Sequence, residues 1–160
     1  MKRVYLSLGS NLGDREANLR AAIQRLDPLR VSPIYETEPV DYKDQAWFLN
    51  VVVEAETALF PRQLLARMQR IECELGRVRT VPKGPRTIDI DILLYGEVVM
   101  RTTELAIPHP RMTERRFVLQ PLADLAPDLR HPVTHMTVRA MLARLPVTVG
   151  VRPWKTSTQP

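Results

Sequence analysis

The spacing of apolar residues switches between two periods before residue 96, and the order of the switches constrains the fold more than any other feature of this chain. Residues 3–8, "RVYLSL", read as a strand. Leu19, Ala22, Ile23 and Leu26 then recur at helical intervals, behind Asp14 as a helix cap. Residues 29–37 read as extended, with Pro33 marking a bulge or a sheet edge. Residues 48–57, "FLNVVVEAET", place Leu49, Val51, Val53 and Ala55 on one face and Phe48, Asn50, Val52 and Glu54 on the other. Leu64, Met68, Ile71 and Leu75 form a second helix face, opened by Pro61 and stopped by Gly76. A strand over 88–95 completes the series. Strand, helix, strand, strand, helix, strand is the split βαβ order. The expectation is an α+β fold: a ferredoxin-like βαββαβ core, an antiparallel sheet with helices on one face, plus a C-terminal helical extension ending near residue 145. The 160 residues suffice for one cored domain, expected over 1–153, with a loose tail over 154–160.

The last strand, in "GPRTIDIDILLYG" (84–96), carries a conflict. Alternation puts Ile88, Ile90, Ile92 and Leu94 on one face and Asp89, Asp91, Leu93 and Tyr95 on the other. Side chains two apart point the same way and lie roughly 6.6 Å apart. Aspartate is a poor strand former, and paired like charges destabilise a bare sheet. The two helices can cover only the isoleucine face, so the carboxylates are left for another purpose. Three uses compete: solvated surface charge, an acid/base pair, or a clamp bridging two divalent cations to phosphate oxygens. The surroundings favour the clamp. Arg86 precedes the pair, and Arg77 and Arg79 lie on the glycine-bounded loop leading to it. Metal ions and a polyphosphate together would satisfy both sets of charges.

The whole-chain balance agrees. Net charge is +5 and the isoelectric point about 9.8, which suits an anionic ligand. Lysine stands only at Lys2, Lys43, Lys83 and Lys155, so 19 of the 23 cations are arginines, the residue suited to bidentate phosphate contacts. The single Cys73 excludes an internal disulfide and reads as a small buried hydrophobe on a helix. The N-terminus reads without a secretory signal, and no segment is apolar enough to span a membrane, so a cytoplasmic location is expected.

Other positions are less decisive. Phe48 and Asn50 share a strand face and offer a flat π surface beside a coplanar donor and acceptor, fit for a heterocycle with an amide-like edge; a rim aromatic beside a solvated amide is the plainer reading. Gln69 and Glu72, three apart on the second helix, read ordinarily as solvent-facing. His109, between prolines, suits a phosphate contact or a structural loop equally. Pro132 argues against a helical metal pair at His131 and His135. "GSNLGD" (9–14) follows a strand and precedes a helix but lacks the Walker lysine, and reads as a turn and cap.

Taken in order, "SLGSNLGD", "YETEPV", "FLNVVV", "QRIECELGRVR", "GPRTIDIDILLYG" and "IPHPRM" followed by "RRF" resemble the 6-hydroxymethyl-7,8-dihydropterin pyrophosphokinases of folate biosynthesis over almost the whole chain. The resemblance implies pyrophosphate transfer from ATP, as co-substrate, to the pterin's hydroxymethyl oxygen, with release of AMP. It implies that Asp89 and Asp91 hold two Mg²⁺ ions. Asn50 would bond the pterin edge, helped by Thr37 and the Glu38, Pro39 and Val40 backbone, with Phe48 and Phe117 sandwiching the ring. Gln69, Glu72, Arg77, Arg86, His109 and Arg115 would line the ATP side. Arg77, Arg79 and the loop to Lys83 would form a lid, and Arg77 and Arg86 would join the two aspartates in catalysis. Pro82 and Lys83 stand where the family has a basic residue and an aromatic. Pro110 stands where a tyrosine is frequent, and Phe48 where a tyrosine also occurs. The expected partners are ATP and the pterin alone, without nucleic acid or membrane, in a monomer. The rival readings are a basic ferredoxin-like RNA-binding domain, which would want an aromatic-rich sheet, and a two-metal nucleotidyltransferase.

Overall fold

The structure, a computed structural model, describes residues 1–77, 83–147 and 150–155. Strand β1 (Lys2–Ser10) leads through the expected cap into helix α1 (Arg15–Leu26), where the Asp14 carboxylate accepts the Ala17 N–H at 3.1 Å. The extended stretch after it is broken at residues 32–34 into β2 (Arg30–Val31) and β3 (Tyr35–Thr37). Next come β4 (Phe48–Thr57) and α2 (Pro61–Glu74), then β5 (Asp89–Tyr95). A small hairpin, β6 (Met100–Arg101) with β7 (Ala106–Ile107), precedes α3 (Arg116–Leu125), α4 (Val138–Ala143) and β8 (Val151–Pro153). The main sheet runs β5–β1–β4–β3–β8, with β2 also on β4, and every pairing is antiparallel.

Both faces of this sheet carry helices. The isoleucines of β5 meet α1 and α2 through Leu19, Ala22, Leu64, Met68 and Ile71, as the sequence pattern requires. The C-terminal helices then return to the opposite face, correcting the expectation of helices on one face. Val118, Leu119 and Leu122 of α3, with Val138 and Met141 of α4, pack on Tyr5, Val52, Leu93 and Leu94. The reason is the apolar content of that end. Each large side chain buried there contributes about 1.5–3 kcal/mol. The other end of the same face carries Ser7, Asn50, Asp89 and Asp91, offers no such gain, and stays uncovered.

A bulge sets the boundary between the two ends. Tyr5 pairs with Leu94 but Leu6 pairs with Ile92, leaving Leu93 as the extra residue. Strict alternation therefore fails after Ile92. Leu93 and Leu94 both join the α3 cluster, and Tyr95 moves to the α1–α2 side, where its hydroxyl donates to the Leu59 carbonyl at 2.6 Å. Leu94 and Tyr95 are thus on the faces opposite to those expected. Cys73 is exposed rather than buried.

The C-terminal segment is fastened further than the expected boundary at Pro153. β8 pairs with β3, the Trp154 N–H donates to the Ile34 carbonyl at 3.0 Å, and its indole donates to Glu16 at 3.0 Å. Arg15 lies over the Trp154 ring, 5.0 Å from its centre. Residues 156–160 of the expected tail lie outside the described residues.

At the covered end, Glu54 stands opposite both Tyr5 and Arg30 in the register. Its carboxylate is 5% exposed, accepts from the Tyr5 hydroxyl, and meets Arg30 at 2.8 Å and Arg3 at 3.2 Å. The Arg30 hydrogen bond leads in holding its pKa down at about 2, against the cost of burial. A depressed carboxylate stabilises the fold above its unfolded value and loses that contribution as pH falls toward 2. Glu54→Gln should therefore cost about 2 kcal/mol at pH 7, and the gap to the parent protein should close between pH 4.5 and 2 in chemical denaturation. An equal gap at both ends of that range would contradict this role.

Candidate active site

In β5, Asp89 stands opposite Gly9 and Asp91 opposite Ser7, so both carboxylates rise beside small residues from the uncovered end of the sheet. Above them lies a cleft of about 520 Å³. Asp89 is neutralised: Arg77 Nη1 lies 2.8 Å from one oxygen and Arg86 Nε 3.6 Å from the other. Asp91 is not. Among the described residues its ion-pair partner is His109, with Nε2 at 4.0 Å. Burial first, and the Asp89 charge next, push the Asp91 carboxyl up to about 7, although 40% of its side chain stays open to the cleft. Burial, reinforced by Arg115, pushes the His109 imidazole down to about 4, so it is neutral near pH 7. Its Nδ1 accepts the Arg111 backbone N–H at 3.2 Å, which leaves the proton on Nε2, the nitrogen facing Asp91.

Two hard-oxygen donors, one lacking a counter-charge, fit a divalent cation with open coordination positions. No group of three or more candidate metal-holding side chains occurs among the described residues, so phosphate oxygens and water would complete the shell.

Helix α2 delivers Arg77 to this floor. Gly76, at φ +86°, takes the left-handed turn, and the Arg77 N–H closes back on the Glu72 carbonyl at 3.0 Å, a Schellman stop. The Glu72 side chain is buried. It accepts the Ile90 N–H, between the two aspartates, at 2.7 Å, and meets Arg77 at 3.0 Å. Its place is under the strand and not among the cleft's lining residues. Gln69 is exposed on α2 and does not line the cleft either. Arg79 and Pro82 lie outside the described residues, so the expected lid is described only at Gly76, Arg77 and 83–86. Arg86, His109 and Arg115 line the cleft as expected. Nε of Arg86 and of Arg115 is buried without a hydrogen-bond partner, donors that an anionic ligand would satisfy.

The opposite wall holds Thr37, Glu38, Pro39, Val40, Phe48 and Asn50, with Phe117 also lining the space. Phe48 and Asn50 are buried floor and not a solvated rim, at 9% and 5% exposure. The Asn50 amide nitrogen donates to the Thr37 hydroxyl, fixing which way the amide points. The Arg86 guanidinium lies 4.8 Å from the Phe48 ring centre and that of Arg115 lies 5.4 Å from Phe117, so planar groups already rest on both rings. Gly9 makes room for the amide: a Cβ there would stand 2.6 Å from Asn50 Oδ1 and 3.4 Å from Phe48. Gly9→Ala should turn Asn50 away and weaken the binding of a ligand that uses it about tenfold, read by calorimetry. Unchanged affinity would show the amide to be free to move.

Sequence reasoning missed several supports. Asn11, read as part of a turn, joins two edges of the cleft. Its side chain donates to Gln45 at 2.8 Å and accepts the Arg86 N–H at 2.9 Å, while Gln45 donates to the Lys83 carbonyl at 3.0 Å. Asp41 gathers Arg111 at 3.2 Å, Lys83 at 3.5 Å and Arg115 at 3.7 Å. The polar richness of 37–46 was the available signal for both Asp41 and Gln45.

Comparison with known proteins gives this arrangement a family. The model for 7,8-dihydro-6-hydroxymethylpterin-pyrophosphokinase (HPPK) matches residues 5–127. The chain belongs to the HPPK family. It is 47% identical over 157 residues to the 2-amino-4-hydroxy-6-hydroxymethyldihydropteridine pyrophosphokinase of Bacillus subtilis, covering 94% of this chain and 89% of that one. It is also 47% identical to the folic acid synthesis protein fol1 of Schizosaccharomyces pombe, covering 94% of this chain but 21% of that much longer protein. A crystal structure of HPPK-DHPS in complex with substrates superposes at a TM-score of 0.72 with 15% identity, over 89% of this chain and 43% of the other. The chain thus spans nearly all of the bacterial relative, about a fifth of the fungal one and under half of the solved chain. The structural likeness shows that the HPPK fold, a mixed α/β arrangement on an antiparallel sheet, is shared. The matched span contains both walls of the cleft.

Proposed function

We propose that this chain transfers a pyrophosphoryl group from ATP to the hydroxymethyl oxygen of 6-hydroxymethyl-7,8-dihydropterin, releasing AMP, as a step of folate biosynthesis. One observation carries the reading: an incompletely neutralised carboxylate pair and converging arginines share a cleft with the fixed Asn50–Thr37 amide and the Phe48 ring. Membership of the HPPK family supports it. Asp89 and Asp91 would hold two Mg²⁺ ions, whose charge would offset the phosphates and lower the pKa of the attacking alcohol. Arg77, Arg86 and Arg115 would bind phosphate oxygens, Arg77 and Arg86 meeting the charge that develops as AMP leaves. Arg77 must give up its contacts with Glu72 and Asp89 to do so. His109 would donate from Nε2 to an oxygen without adding charge, and with that nitrogen protonated it is no base. Asn50, Thr37 and the backbone of 38–40 would hold the pterin edge, and Phe48 and Phe117 its ring. Rate acceleration then comes from positioning and electrostatics.

The strand order β5–β1–β4–β3 with its two crossing helices fits the ferredoxin-like arrangement, and α3 and α4 its C-terminal helical extension. One chain supplies both walls of the cleft, which supports action as a monomer. No helix among the described residues is long and apolar enough to cross a membrane. The RNA-binding reading has less support, because α3 and α4 cover one end of the sheet face that such a domain would need. AMP formation from ATP should require both the pterin and Mg²⁺ and should stop on chelation. AMP released at the same rate without the pterin would contradict the proposal.

A further inference from the structure

Asp41 stands where three otherwise separate parts of the cleft mouth meet. It lies on the loop between β3 and β4, directly after the pterin-side residues 38–40. Its carboxylate faces the other half of the site. Arg111 donates to it at 3.2 Å, Lys83 Nζ lies at 3.5 Å and Arg115 Nη2 at 3.7 Å. These cations come from the end of the glycine-bounded loop and from the segment after His109. Arg111 is tied at its other end too, because its N–H donates to His109 Nδ1 at 3.2 Å and so fixes the tautomer facing Asp91. Arg115 keeps a buried Nε with no hydrogen-bond partner. One carboxylate thus holds three guanidinium or ammonium groups together at the edge where an anionic ligand would enter.

We propose that Asp41 is a positioning residue for the ATP half of the site, acting through Arg111 and Arg115 although it is carried by the pterin-side loop. The inference rests on the pyrophosphoryl-transfer reading above. Two effects of removing the carboxylate oppose each other. Its negative charge repels a polyphosphate, which favours the variant. Against that, Lys83 and Arg111 are 58% and 42% exposed; without their shared partner Lys83 spreads into solvent, and Arg111 keeps only Glu114, at 2.9 Å and itself 61% exposed, so neither is held over the cleft. Ordering one long side chain on binding is worth about fivefold in affinity, and several are involved. A single like-charge contact, screened at a carboxylate that is itself 29% exposed, is worth about twofold. Ordering wins, so loss of Asp41 weakens ATP.

The test is calorimetry with an α,β-methylene analogue of ATP plus Mg²⁺, and separately with 6-hydroxymethylpterin, on the parent protein, Asp41→Asn and Asp41→Glu. Steady-state KM values for both substrates are measured alongside, and thermal unfolding checks that each variant is folded. Asp41→Asn should bind the nucleotide analogue about tenfold more weakly, raise the KM for ATP similarly, and leave pterin affinity within about twofold; Asp41→Glu should recover most of the loss. Equal weakening of both ligands would overturn the proposal, because Asp41 would then only shape its loop. Tighter nucleotide binding by Asp41→Asn would overturn it as well, making the carboxylate a competitor of the phosphates. Failure of the parent protein to bind the analogue would instead refute the function on which the inference rests.

Discussion

Replacing Asp91 by asparagine should abolish turnover and at the same time stabilise the metal-free protein. The expected loss of rate is about 10³-fold or more, since an amide is a poor ligand for a hard divalent cation and each 1.4 kcal/mol is tenfold. The expected gain in stability has a separate cause. Asp91 sits at the cleft floor next to Asp89, and among the described residues its ion-pair partner is a neutral imidazole 4.0 Å away. A carboxylate in that position opposes folding until a cation arrives, and asparagine removes the charge while keeping the shape. Because the cleft admits solvent to the side chain, the penalty is discounted to about 1 kcal/mol, or about 3 °C in Tm. Addition of Mg²⁺ with a nucleotide should raise the Tm of the parent and leave that of the variant nearly unchanged. Asp89→Ala should lose turnover comparably but gain no stability, because it takes one of two carboxylate partners from Arg77, which is only 18% exposed and would keep Glu72 alone. Near-normal activity in both variants at saturating Mg²⁺ would refute the two-carboxylate clamp.

The second large effect concerns Asn50. Asn50→Ala should weaken pterin binding about hundredfold, while nucleotide-analogue affinity changes by less than about threefold. The selectivity follows from geometry. Asn50 is 5% exposed and its amide is oriented by Thr37, so a ligand edge finds a prearranged donor and acceptor. The aspartates and arginines that would take the phosphates hold no bond to it. Thr37→Val should reproduce part of the effect by freeing the amide to rotate. Parallel losses for both ligands in calorimetry would mean that Asn50 supports the sheet and does not read the ring.

Much of this organisation is readable from local pattern. The helix faces, the caps at Asp14 and Gly76 and the carboxylate pair opposite an isoleucine face follow from spacing alone, because each is set by residues within a few positions of one another. The misses share a different cause. The bulge at Leu93 moves Leu94 and Tyr95 to the other face, and no residue in 88–95 marks it; it arises from how β5 meets β1. The covering of the second face depends on Val52, Tyr5 and Leu93 being adjacent across three strands. Glu72 reads as a solvent-facing helix residue, yet a strand 18 positions later lies over it and offers it the Ile90 N–H. Gly9, Asn11 and Asp41 act through partners 34 to 75 residues distant, such as Gln45, Arg86 and Arg111. The resemblance to HPPK implies roles for the cleft residues, but not that Gln69 lies outside the cleft or that the Asp41 carboxylate meets Arg111, Lys83 and Arg115.

The fate of the phosphates of ATP tests pyrophosphoryl transfer most directly. The protein is incubated with Mg²⁺, 6-hydroxymethyl-7,8-dihydropterin and ATP labelled at both the β- and γ-phosphates, and the products are separated. Pyrophosphoryl transfer predicts AMP as the nucleotide product, with both labels on the pterin in equal amount. ADP with the γ-label alone on the pterin, or free pyrophosphate with the adenylyl group on the pterin, would contradict it.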